Sequence, residues 1–146
     1  MKKILFLHGF FASGSCIPAQ ALKDAFEGKV EVLTPDLPTH PMKTLETIRH
    51  IIDNDRPDLI IGNSCGSFYA QMLAPIVGIP ALLGNPHFRM TDFLKERIGT
   101  HPYKSPRQDG NQTFIIDDSL IQEFAILEDT QFNYCNPYNN NISHYT

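Results

Sequence analysis

The sequence predicts an α/β fold built on a mostly parallel sheet of about four strands. Short apolar runs rich in branched residues alternate with segments of helical periodicity over the first two thirds of the chain. Parallel strands joined by helical crossovers are covered on both faces, which explains why these runs are almost continuously apolar. The chain has 146 residues, of which 42% are hydrophobic, enough for one packed core. We therefore predict one three-layer α/β domain over residues 1–146.

Four apolar runs have the length of strands and are bounded by Gly, Pro or Asp: 3–7, 30–34, 59–62 and 79–83. The expected spatial order is second, first, third, fourth. That order leaves the run 79–83 at an open edge of the sheet, where the unpaired backbone groups invite another chain. The edge strand 79–83 is therefore a candidate site for homodimerisation or for aggregation.

Each run is followed by a segment with helical spacing. The first helix is expected to follow a cap at Ser13 or Ser15 and to bury four apolar residues on one face: Ile17, Ala21, Ala25 and Phe26. The second ends before Pro57, and the third starts at the turn that contains Ser64.

The last third of the chain has a different pattern. A short helix is expected over 90–98, and the polar segment 100–116, which contains two prolines, is interpreted as a loop or a lid. Asp117 or Asp118 is expected to cap a final helix with an apolar face. The Asn-rich tail 133–146 is expected to be disordered.

Composition excludes several classes of function. A net charge of −4 and a pI near 5.8 argue against a nucleic-acid surface. No apolar run approaches the ~18 residues of a membrane helix, and the start "MKKILFLHGF" is interpreted as a strand, so the protein is expected in the cytoplasm. The three cysteines show no metal-ligand spacing, and the first turn has no phosphate-binding glycine motif. No metal, cofactor, nucleic-acid or membrane partner is therefore expected.

The stretch Gly62-Asn63-Ser64-Cys65-Gly66 matches G-x-S-x-G at the predicted junction of a strand and a helix. At such an elbow the serine adopts strained backbone angles, and the residues two before and two after it must be small. Ser64 is thus the candidate nucleophile. Cys65 is a poorer candidate because its own flanks at these offsets are Asn63 and Ser67.

A second motif follows the first strand. His8-Gly9-Phe10 occupies the position where an HG-x turn donates one backbone N–H to an oxyanion hole, and the residue after the elbow serine donates the other. The expected donors are the N–H groups of Phe10 and Cys65. The alternative is that His8 and Gly9 form only a tight turn.

Two further stretches accompany these motifs: "TPDLP" lies between them, and "LLGNP" follows the elbow. Together they give the chain a resemblance to the small α/β-hydrolase-fold esterases of the YqiA-like family. The resemblance runs through the whole chain in order, except that Ser67 replaces a glycine of many relatives. It implies hydrolysis of small carboxylic esters through an acyl-enzyme on Ser64, without a cofactor.

The resemblance also implies an acid and a histidine after later strands, and we expect these to lie beyond Thr146. Within the chain, His144 and His87 are the candidates for the base, and Asp129 is the candidate for the acid. His40, His50 and His101 are interpreted as surface residues or as lining the mouth of the site. The alternative function is an inactive α/β-hydrolase-fold binding module or a truncated remnant, in which activity is impaired because acid and base are missing.

Overall fold

Strands and helices alternate along most of the chain. The computed structural model describes residues 2–133 and the backbone of 142–145. The elements in these residues are β1 (Lys2–Leu7), α1 (Ile17–Phe26), β2 (Val30–Leu33), α2 (Pro41–Asp55), β3 (Leu59–Asn63), α3 (Cys65–Val77), β4 (Ala81–Gly84), α4 (Met90–Lys95), β5 (Gly99–Pro102), β6 (Thr113–Ile116), α5 (Asp118–Thr130) and β7 (Ile142–Tyr145).

The strands of the main sheet are parallel. In the described part of the chain their order is β2-β1-β3-β4-β7, which confirms the order predicted for the first four. The register places Leu7 beside Gly62, and Asn63 beside Gly84, so β1, β3 and β4 end at the same edge. Ligand sites of open α/β sheets lie outside this carboxyl edge.

The structure differs from the predicted fold mainly at the outer edge of β4, where a further strand is paired. β7 pairs with β4 in parallel, from Ala81 beside Ile142 to Gly84 beside Tyr145. The expectation of an open edge at 79–83 is therefore wrong, and so is disorder throughout 133–146. Residues 134–141 and 146 of that tail lie outside the described residues. Homodimerisation stays a prediction, but an unpaired β4 no longer supports it.

Helix α1 begins at Ile17 after Cys16, which acts as its N-cap without a capping side-chain bond. With this start, the helix is rotated so that Ala19 is buried against the sheet and Ile17 is 86% exposed. The predicted apolar face is therefore wrong. The predicted caps are engaged elsewhere: the hydroxyls of Ser13 and Ser15 both donate to the carbonyl of Pro106. The two serine hydroxyls thus bond to a residue far along the chain instead of capping α1.

The segment 100–116 is not one continuous loop. β5 and β6 pair in antiparallel fashion, from Gly99 beside Ile116 to Pro102 beside Thr113. The burial of Phe114 and Ile116 alternates with exposed neighbours, the period-two pattern of a half-buried strand. The prediction of the final helix is confirmed, because Asp117 caps α5 by accepting a hydrogen bond from the Leu120 N–H at 2.9 Å.

Candidate active site

Ser64 lies at a sharp turn between β3 and α3. Its backbone angles are φ 55° and ψ −116°, outside the regions that L-residues ordinarily occupy. Two hydrogen bonds hold the turn: the Ser64 N–H donates to the Gly84 carbonyl at 2.9 Å, and the Ser64 carbonyl accepts from the Ser67 N–H at 2.9 Å. The side chain is half-buried at the carboxyl edge of the sheet. Its strain is thus sustained by both neighbouring elements.

The two glycines of the motif are required by close backbone contacts. A Cβ atom on Gly66 would lie 1.9 Å from the Leu7 carbonyl oxygen, and one on Gly62 would lie 2.5 Å from the Gly66 carbonyl oxygen. No side chain fits at such distances. The glycines therefore let the start of α3 pack directly on the ends of β1 and β3.

Ser67 has a role that the sequence did not reveal. Its fully buried hydroxyl lies 2.9 Å from the carbonyl oxygen of Gly62 and 3.1 Å from that of Gly84. The residue thus fastens the first turn of α3 to the ends of both β3 and β4. Its hydroxyl supplies a hydrogen-bond donor beneath the elbow that a glycine at this position would lack.

His8 lies beneath the turn that follows β1. Its Nδ1–H donates to the Gly9 carbonyl at 2.7 Å, and its Nε2 accepts a hydrogen bond from the Leu37 N–H at 2.9 Å. An Nε2 that accepts carries no proton, so the imidazole is neutral with the proton on Nδ1. Burial of the ring, which is 4% exposed, lowers the pKa of His8 from 6.5 to about 4.

The Gly9–Phe10 peptide is held in one orientation next to the elbow. The Gly9 carbonyl accepts from His8 Nδ1 and from the Ala12 N–H, which lies 3.1 Å away. Because the C=O and N–H groups of a peptide are fixed in one plane, these bonds also fix the Phe10 N–H. A Cβ on Gly9 would lie 3.6 Å from the Ser64 Cβ, which shows how closely this turn approaches the serine.

The Phe10 and Cys65 N–H groups donate no hydrogen bond to any residue within 2–133 or to the backbone of 142–145. Cys65 is the first residue of α3, where backbone donors have no partner inside the helix and the helix dipole is positive.

The thiol of Cys65 is the alternative nucleophile at this turn. Burial raises its pKa to about 12, and the side chain hydrogen-bonds to Tyr69. A buried neutral thiol is a poor nucleophile, which leaves Ser64 as the candidate.

A family model described as "Uncharacterised protein family (UPF0227)" matches residues 3–135. The chain belongs to family UPF0227. This membership confirms the YqiA-like resemblance inferred from the sequence motifs.

A solved structure has a fold similar to that of this UPF0227 member. The protein described as "Marine microorganism esterase" superposes with a TM-score of 0.50 at 12% identity. The match covers 95% of this chain and 71% of that chain. At this identity the likeness concerns the fold, and it confirms the predicted α/β-hydrolase-like architecture.

Among the candidate acid and bases of this UPF0227 chain, neither His87 nor Asp129 is hydrogen-bonded to Ser64, and the side chain of His144 lies outside the described residues. His87 is half-buried with its ring 4.9 Å from that of Phe93, and burial lowers its pKa. His144 lies in β7 beside Leu83, two strands from β3, or about 10 Å at the usual strand spacing. Asp129 is exposed near the end of α5. Among residues 2–133, no hydrogen bond joins His87 to Ser64 or Asp129 to a histidine.

A histidine–carboxylate pair that the sequence reasoning missed links α2 to α5. His40 Nδ1 bonds to a carboxylate oxygen of Glu123, whose other oxygen accepts from the Met42 N–H at 3.2 Å. The two residues are 83 positions apart, so no local pattern could reveal the pair. It fastens the start of α2, after the carboxyl end of β2, to the final helix.

Across the described residues, no cluster of three or more His, Cys, Asp or Glu side chains could hold a metal ion. No helix in the same part of the chain is both long and apolar enough to cross a membrane.

Proposed function

We propose that this protein is a serine hydrolase of small carboxylic esters, acting through an acyl-enzyme on Ser64. One observation carries the proposal: a strained serine lies at a strand-to-helix turn, within reach of two unpaired backbone donors. Strain of this kind is retained where it serves a reaction or ligand.

The reaction follows from the positions of these groups. Ser64 Oγ attacks the carbonyl carbon of the ester while a base takes its proton, and the carbonyl π electrons move to oxygen. Collapse of this tetrahedral intermediate breaks the bond to the alkoxy oxygen, which leaves as alcohol after receiving the proton. Water then attacks the acyl-enzyme by the same route and releases the carboxylic acid.

The Phe10 and Cys65 N–H groups are assigned to the oxyanion. Both are fixed before substrate binds, the first by the two bonds on the Gly9 carbonyl and the second by the start of α3. Preorganised donors of this kind lower the barrier by ~3 kcal/mol each in serine hydrolases. His8 serves this site as a positioning residue, because its neutral ring holds the peptide and leaves no free nitrogen for proton transfer.

The comparisons support the same reaction class. The structural neighbour is itself described as an esterase, and the sequence motifs resemble those of YqiA-like esterases. For the proton transfer, His144 and His87 remain the candidate bases in this chain, with Asp129 as the candidate acid. The free, buried thiols of Cys16 and Cys65 favour a cytoplasmic location for the enzyme.

The test is covalent labelling by a fluorophosphonate, which reacts quickly only with an activated serine, followed by measurement of intact mass. We expect one adduct on the native protein and none on Ser64→Ala. Ser119→Ala is the matched control, since Ser119 is exposed on α5 and its loss should leave labelling unchanged. His144→Gln and His87→Gln, tested in parallel, should reveal the base as the variant whose labelling rate falls at least ~100-fold.

A folded native protein that gives no adduct would overturn the proposal. The unpaired donors at Phe10 and Cys65 would then serve to bind a carboxylate or another anion without turnover. This second candidate function is favoured by the absence of a described histidine bonded to Ser64.

A further inference from the structure

Three partly buried rings lie at the carboxyl edge of the sheet, in the loops on either side of the elbow. They belong to Phe11, Phe93 and His87. We propose that they form an arch over Ser64 that contacts the acyl group, so that the site prefers esters of apolar acyl chains longer than acetyl. The inference rests on the proposed function and specifies its substrate class, and Phe93 at the centre of the arch is the specificity-determining residue.

The rings form a continuous row. The Phe11 and Phe93 centroids are 5.9 Å apart with the planes at 68°, and the Phe93 and His87 centroids are 4.9 Å apart at 88°. Both are edge-to-face contacts in the favourable range for aromatic pairs. Such contacts fix the rings relative to one another.

The loops that carry the two outer rings of the row flank the end of β3. Phe11 follows β1, and His87 follows β4 by three residues, while β1 and β4 flank β3 on opposite sides. Two strand spacings amount to about 10 Å. The two ring steps of 5.9 and 4.9 Å are together long enough to reach across this span, and Phe93 contacts the ring that each flanking loop provides. Ser64 is the residue that directly follows β3.

Phe93 lies in α4 and is held in place by Arg97. The Arg97 guanidinium carbon lies 3.9 Å from the ring centroid, and Arg97 Nη1–H donates to the Phe93 carbonyl at 2.7 Å. Phe11 is held by the hairpin, because its carbonyl accepts from the Lys104 N–H at 2.8 Å and its ring contacts His101 at 5.6 Å. An apolar surface fixed in this way can take up methylene groups without first becoming ordered.

The experiment compares two probes that differ only in chain length. Ethyl and octyl fluorophosphonates are reacted with native protein, and the ratio of their labelling rates is measured. We expect the octyl probe to react at least ~10-fold faster, since each buried methylene contributes to binding. Phe93→Ala should lower this ratio about 5- to 10-fold, as expected for loss of one aromatic contact. Phe93→Leu, which preserves more of the packing, should give an intermediate ratio.

Phe132→Ala is the matched control, because Phe132 is 52% exposed and its ring contacts Phe88 rather than the arch. Its ratio should equal that of the native protein. An unchanged ratio in Phe93→Ala, with labelling intact, would overturn the arch while the hydrolase proposal stands.

A binding measurement separates the two proposals if Ser64 does not react. Octanoate and acetate are titrated into Ser64→Ala and into the double variant that also carries Phe93→Ala, and binding is followed by NMR. Octanoate binding that is lost with Phe93 would support the arch even where the hydrolase proposal fails. Equal binding of octanoate by both variants, or no binding by either, would overturn it.

Discussion

At the scale of single residues, His8 joins two loops of the candidate site as a neutral imidazole. It is tied to the Gly9 carbonyl through Nδ1 and to the Leu37 N–H through Nε2. Protonation of Nε2 would break the second bond and place a charge in a buried position. The residue therefore couples the stability of the first turn to pH.

This coupling has a definite sign. The folded-state pKa of about 4 lies below the ordinary value of 6.5, so between these values the unfolded chain binds the proton and the folded protein does not. The contribution of His8 is fully present above pH 6.5 and is lost as the pH falls towards 4. We expect the free energy of unfolding to decrease by up to ~3 kcal/mol over this window from His8 alone.

Urea denaturation at a series of pH values from 7 to 4 measures the effect. Carboxylates also titrate in this range, so the relevant quantity is the difference in pH dependence between native protein and His8→Asn. His50→Asn, at an exposed position of α2, is the matched control. Parallel curves for native and His8→Asn would contradict the prediction.

At the scale of elements, the β5–β6 hairpin is clamped onto the loop that follows β1. The Lys104 N–H donates to the Phe11 carbonyl at 2.8 Å, and the Ser13 hydroxyl donates to the Pro106 carbonyl at 2.6 Å. Ser105 Oγ lies 2.9 Å from Ser13 Oγ. The loop that bears the Phe10 N–H is thus braced by an element about 90 residues further along the chain.

Removal of one clamp should weaken this loop. Ser13 is fully buried, so Ser13→Ala leaves buried partners without their bonds and should lower the free energy of unfolding by ~1–2 kcal/mol. It should also slow labelling of Ser64 several-fold, because the Phe10 N–H becomes less well held. Ser15→Ala is the matched control, since exposed Ser15 bonds to the same carbonyl of Pro106. Equal, small effects of both variants on stability would show that the clamp is unimportant.

At the scale of the whole molecule, β7 covers the edge of β4 that would otherwise be open. Its pairing along β4 satisfies backbone groups that would otherwise be a template for association. The paired residues, such as Ala81 and Ile142, are 61 positions apart, and this non-local pairing covers the apolar β4.

Proline substitutions in β7 test this function of the strand. Backbone N–H groups alternate between the two sides of a strand, so one of Ser143→Pro and His144→Pro removes a donor that faces β4. We expect that variant to show increased concentration-dependent association in sedimentation velocity. Ser143→Ala and His144→Ala retain the N–H and should behave as the native protein does. Unchanged association in both proline variants would indicate that β4 is not an association surface.

The sequence by itself determined the features that depend on local sterics. The order of the first four strands follows from alternating apolar runs, and the elbow glycines follow from a turn in which a Cβ has no room. The Asp117 cap follows likewise from a short side chain that reaches its own helix. For Gly62 and Asp117 the cause lies within a few residues of the effect, and for Gly66 it lies in the carbonyl of Leu7 on the neighbouring strand.

Only the tertiary structure decided the features that depend on partners far along the chain. The hydroxyls of Ser13 and Ser15 are engaged by the hairpin instead of capping α1, and Glu123 pairs with His40 from 83 positions away. β7 pairs with a strand that the sequence left open. These partners are selected by free energies of burial and pairing across the whole fold, and no local pattern encodes them.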